Sequence, residues 1–138
     1  MYGGDINAAR SLPIDAVLIG DVLRRLRRDT RGSAATWMLG THGSAEIDID
    51  FFPAVAGDVP AWTTTARLWD PEAVAMVRAT IELSAVAADT CTLTAEPDLP
   101  LTPWWEARTP ALAGLALAAL DELAEELLWH ATRNASAP

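Results

Sequence analysis

The spacing of apolar residues changes twice along the chain and divides it into three parts. Between Asp15 and Asp29, Ile19, Val22, Leu23 and Leu26 recur at three- and four-residue steps, which predicts a helix with one dry face. Arg24, Arg25, Arg27 and Arg28 fill its last turns, where positive charge suits the helix dipole. Residues 11–16 (SLPIDA) read as a short strand before it, and Thr30-Arg31-Gly32-Ser33 as its end.

From Ala35 the period shortens to two. TWMLGTH (36–42) predicts a strand closed by Gly43-Ser44. Residues 46–52 set Ile47, Ile49 and Phe51 against Glu46, Asp48 and Asp50, and 53–60 read as a loop. WTTTARLW (62–69) puts Trp62, Ala66 and Leu68 on one side, and Asp70-Pro71-Glu72 marks a turn. Val77, Ala79, Ile81 and Leu83 then alternate with Arg78, Thr80, Glu82 and Ser84. After a turn at 87–89, Cys91, Leu93 and Ala95 alternate with threonines, which completes a hairpin.

The third part is helical again. Thr109-Pro110 predicts a capped start, since proline fits the first turn and threonine accepts its free N–H groups. The helix then runs to Arg133, a rod of roughly 36 Å. Its Pro110–Leu120 half is apolar nearly all round, whereas Asp121, Glu122, Glu125 and Glu126 give the second half a wet face. Strands that are dry on one face need a cover, and only this helix is long enough to provide it. The expected fold is therefore α+β: a curved antiparallel β-sheet wrapped around a long C-terminal α-helix, the helix-grip arrangement, as one domain over residues 1–138. Pro110–Leu120 would be its enclosed end and Asp121–Arg133 would lie at the sheet's rim.

Charge narrows the partners. The net charge is −9, carried mostly beyond residue 44, which disfavours nucleic acid and anionic membrane surfaces. No apolar run is long enough for a membrane span, and no leader peptide is evident, so a cytoplasmic location is expected. Cys91 is the sole cysteine, and His42 and His130 are the only histidines, in no metal-ligand spacing, so no metal or other cofactor is expected. Glu46, Asp48 and Asp50 read as a solvated face, Arg67 and Arg78 as outward-pointing, and Cys91 as a small core residue. His42 at a strand end would be a general base only if it faced a pocket. The four clustered arginines are of the type that binds an anionic head group or a partner's acidic surface, and equally of the type that ends a surface helix. Edge strand 36–42 is open to pairing with a second copy as a homodimer.

Three segments resemble the START-like (SRPBCC) superfamily, which takes in plant pathogenesis-related allergens, polyketide cyclases and lipid-transfer domains. SLPIDAVLIGDVLRRLRRD is similar to its opening strand and helix, ATIELSAVAADTCTLTAEPDLP to its penultimate hairpin, and the Pro-led alanine-leucine helix to its terminal helix. The chain departs from the family between Asp29 and Trp37, where a second short helix has little room, and in lacking a tryptophan in the first helix. The resemblance implies an elongated cavity between sheet and helix for a small hydrophobic or amphipathic molecule. Its expected lining is Trp37, Ile49, Phe51, Trp62, Leu68, Ile81, Leu83, Leu93, Trp104, Leu112, Leu115, Ala116 and Ala119. The alternative functions are a polyketide cyclase or dehydratase using the same cavity, or a chaperone-like protein-binding module. The last goes with a different architecture, similar to type III secretion chaperones, in which Asp70–Met76 would be a helix. Of Trp104 and Trp105, the plainer expectation is that one staples the helix entry while the other stays partly exposed.

Overall fold

Seven strands pair antiparallel in one open sheet in the computed structural model, which describes residues 8–56, 59–99 and 102–136. They are β1 (Ala8–Leu12), β2 (Ala34–Met38), β3 (Ser44–Asp48), β4 (Phe52–Ala56), β5 (Val59–Asp70), β6 (Ala75–Ala87) and β7 (Thr90–Pro97). The order across the sheet is β1-β7-β6-β5-β3-β2, with β4 also paired to β5. Three α-helices lie among the described residues: α1 (Ile19–Asp29), α2 (Pro103–Ala107) and α3 (Thr109–Ser136). The long helix packs against the sheet, as the hydrophobic pattern predicts.

Several boundaries differ from the sequence expectation, each for a local reason. The first strand is Ala8–Leu12, not 11–16, because Pro13 has no N–H to offer the ladder to β7. Asp15 instead accepts a hydrogen bond from Val17 N at 3.1 Å and caps a 3-10 turn leading into α1. The second strand stops at Met38, since Gly40 and Gly43 adopt left-handed backbone angles and fold 40–42 into a tight turn.

The alternating run 46–52 is split in two. β3 ends at Asp48, and the inward-facing Thr64 hydroxyl donates to the carbonyls of Asp48 and Asp50, at 2.8 and 3.4 Å. The chain then re-enters as β4, so the predicted loop 53–60 contains a strand, with Phe52 opposite Thr63 and Pro53 opposite Trp62. β3 and β4 thus share one edge of β5, and β6 takes the other. Residues 71–74 form a turn and Ala75 resumes the sheet, so the alternative architecture that needs a helix over Asp70–Met76 is not this fold.

The β6–β7 hairpin is present as expected, with Leu83 opposite Leu93 and Ile81 opposite Ala95. The Thr-Pro signal occurs twice, and the side-chain cap belongs to the first copy. Thr102 Oγ1 accepts from Trp105 N at 3.3 Å and opens α2, whereas Thr109 Oγ1 donates to Trp105 O at 3.5 Å. Leu112, Leu115, Ala116, Ala119, Leu123 and Leu127 are buried along one side of α3, as their spacing requires. The charged half of α3 is covered on one side too, although more of it is exposed than of the apolar half. Leu123, Ala124, Leu127 and His130 are buried and α1 packs on α3, while Asp121 pairs with Arg10 on the edge strand β1. Ala116 and Ala119 on the helix, with Ala45, Ala66, Ala79 and Ala95 on the strands, are small buried residues that let the two layers approach closely. No helix among the described residues is long and apolar enough to cross a membrane.

Candidate functional site

The interrupted strand edge creates the most suggestive surface feature. Where β3 stops, residues 49–53 swing towards α1 and leave a groove of about 440 Å³. Gly20, Leu23, Arg24 and Arg27 of α1 form one wall; Ile49 to Pro53 and Trp62 of β5 form the other. Leu23 and Ile49 are buried at its base, while Phe51 and Trp62 are partly buried against the same core. Phe52 stands largely in solvent. Arg27 binds the Asp50 carboxylate across the groove, and Arg24 binds Asp21 one turn back on its own helix. The feature is an apolar trough with two guanidiniums and one carboxylate along its lip.

The expected lining residues therefore separate. Ile49, Phe51 and Trp62 meet in this groove. Leu68, Ile81, Leu83, Leu93, Leu112, Leu115, Ala116 and Ala119 come together instead as one buried cluster between sheet and α3. Trp37 is partly buried on edge strand β2. Trp104 is 52% exposed and meets Trp105 edge-on at 4.7 Å, while Trp105 packs against the core, the staple arrangement. Sequence reasoning missed Leu23, Arg24, Arg27, Asp50, Phe52 and Pro53 as partners of the groove. Helical spacing held a signal for the arginines: 24 and 27 fall on one flank of α1, 25 and 28 on the other.

The remaining candidates are accounted for by their contacts. Arg67 points outward, donating to Glu46 Oε1 at 2.6 Å and Asp48 Oδ1 at 2.8 Å, and Thr65 adds a bond to Asp48 Oδ2 at 2.7 Å. The Arg67 bond, helped by Thr65, holds the Asp48 carboxyl below its ordinary range against a smaller effect of burial. Arg78 is exposed. Asp50 is not on that strand face, because β3 has already ended; it belongs to the groove. Cys91 is fully buried with its thiol donating to Ile14 O at 3.3 Å, and burial pushes its pKa up, which suits a core residue. The side chain of His42 lies outside the described residues. Among the described residues no three of the His, Cys, Asp and Glu side chains are placed to hold a metal ion.

The fold and site thus define an α+β protein with a seven-stranded antiparallel sheet, a long helix packed on it, and an amphipathic groove beside α1. No family model matches the chain, and no match is found among curated proteins or solved structures.

Proposed function

We propose that the protein binds a small amphipathic molecule, apolar along its body and anionic at one end, in the groove between α1 and the β3–β4 connection. The supporting observation is that Ile49, Phe51 and Trp62 meet Arg24 and Arg27 around one open trough. The ligand class is the one a START-like protein would take, but the place differs: the groove lies beside α1, whereas the layer between sheet and α3 is filled by Leu68, Ile81, Leu83, Leu93, Leu112 and Leu115.

The energetics favour such a ligand. Burying the apolar body of such a ligand gains about 25 cal/mol for each Å² covered, before the cost of immobilisation. Arg24 and Arg27 are mostly exposed and hold their carboxylate partners at the surface, where ion pairs contribute about 0–1 kcal/mol. Exchanging Asp21 or Asp50 for a ligand carboxylate is therefore inexpensive. A cyclase-type reaction in the same groove would have to use Asp50, the carboxylate among its lining residues. Its pairing with Arg27 suits it to binding more than to proton transfer.

Calorimetric titration with laurate and with 1-dodecanol tests the reading. Laurate should bind more tightly than the alcohol, Trp62→Ala should weaken both by roughly tenfold, and Arg27→Ala should erase the preference for the acid. Unchanged affinities in Trp62→Ala would place any binding elsewhere and overturn the proposal.

A further inference from the structure

A second groove of about 500 Å³ lies on the other flank of α1, between its end and the last turns of α3. Arg25, Arg28, Asp29, Glu126, Trp129, His130 and Arg133 line it. The side chain of His130 is 2% exposed, and its Nε2 is buried with no hydrogen-bond partner among the described residues. Glu126 Oε1 stands 3.6 Å from Nε2 and Asp29 Oδ2 the same distance from Nδ1, both beyond hydrogen-bond reach. A buried polar atom left in this state is uncommon, and it gives the groove floor a hydrogen-bonding group that no protein side chain uses.

The charges around it point to an anion. Arg25 is half-buried and makes no ion pair among the described residues, and Arg28 has only its neighbour Asp29, at 3.7 Å. Arg133 lies over the Trp129 ring, 4.6 Å from its centre, which holds the guanidinium at the groove wall. Three guanidiniums outnumber the two carboxylates in a protein of net charge −9. The carbonyl end of α1 is close and disfavours an anion, so the arginines must supply the attraction. Guanidinium forks match oxyanions in shape, and a proton on His130 Nε2 would supply one more donor. We propose that this groove is a binding site for a small soluble oxyanion of the phosphate-monoester class, held by Arg25, Arg28 and Arg133 with His130 at its floor. It is separate from the apolar groove and stands whether or not that groove takes a ligand.

The test uses inorganic phosphate on the whole protein, with sodium chloride at equal ionic strength as the screening control. Proton–nitrogen NMR should show the Trp129 indole N–H shifting saturably with phosphate and not with chloride, and the melting temperature should rise with the same dependence. Arg25→Gln and Arg28→Gln should each weaken binding by roughly tenfold, whereas Arg31→Gln, the same charge change on an exposed residue, should leave it unchanged. His130→Gln should lower affinity as well; the two arginine variants decide the matter if that protein fails to fold. A shift that never saturates, equals that in chloride, or survives in the double Arg25→Gln/Arg28→Gln protein would overturn the site.

Discussion

Arg108 holds the buried carboxylate of Asp70 through both of its oxygens. Nη2 donates to Oδ1 at 2.8 Å and to Oδ2 at 2.6 Å, and Nε donates to Oδ2 at 3.0 Å. Asp70, 3% exposed, ends β5, and Arg108 joins α2 to α3, so the pair locks the start of the long helix to the end of the longest strand ladder. Asp70 Oδ1 also accepts from the backbone N–H groups of Glu72 and Ala73, which shapes the β5–β6 turn.

Removing the arginine leaves a buried charge with only those backbone donors. Arg108→Ala is expected to lower unfolding free energy by about 3 kcal/mol in urea titrations. Arg108→Lys should recover only part of it, because an ammonium cannot fork across both oxygens. A double-mutant cycle with Asp70→Asn should show strong coupling; additive losses would refute the clamp.

Gly43 sits where no side chain fits. Its φ is +124°, and a Cβ there would stand 2.0 Å from the carbonyl oxygen of Trp69. Gly43→Ala must either flip the turn or part β3 from β5, and a loss of about 3 kcal/mol in thermal or urea unfolding is expected. Gly32→Ala, strained in φ but in open space, should cost clearly less.

Ala119→Leu measures how tightly the sheet and α3 are packed. Ala119 is fully buried in the cluster with Leu115 and Leu123. In a filled layer the added atoms should cost about 1–3 kcal/mol. A neutral or stabilising result would reveal spare volume between sheet and helix.

Asp48 makes stability depend on acid. Its folded pKa is depressed by Arg67 and Thr65, so below the unfolded value of about 3.9 the unfolded chain binds the proton more readily. The contribution is complete above about pH 5 and disappears as pH falls through the folded pKa. With 32% of the side chain exposed, it amounts to less than about 1 kcal/mol. Asp48→Asn should flatten the acid limb of the stability curve by that amount and change little in its shape near neutrality.

The candidate site was partly legible. Ile49, Phe51 and Trp62 announce themselves as apolar residues on alternating runs, and the structure brings them together. Arg24 and Arg27 were visible only as half of a cluster, because nothing in the local pattern says which flank of a helix will meet a sheet edge. His130 carries a signal in its spacing: it continues the buried step from Leu123 and Leu127 by three residues. Polarity masked a position that spacing marked as inward.

Local chemistry was enough for the architecture. A period of two with one dry face demands a sheet with a cover, and only one segment is long enough to provide it, so the sheet-and-helix layering follows from pattern alone, though not β4 or every strand end. Tertiary structure decided the rest, since it depends on groups distant in sequence. The break after Asp48 is held by Thr64 of β5, whose hydroxyl donates to the carbonyls of Asp48 and Asp50. The anchoring of α3 needs Asp70 and Arg108 to meet, and the two grooves need α1 to lie beside both the β3–β4 connection and the last turns of α3. Periodicity reports which face of an element is buried; what that face meets is settled only when the elements pack.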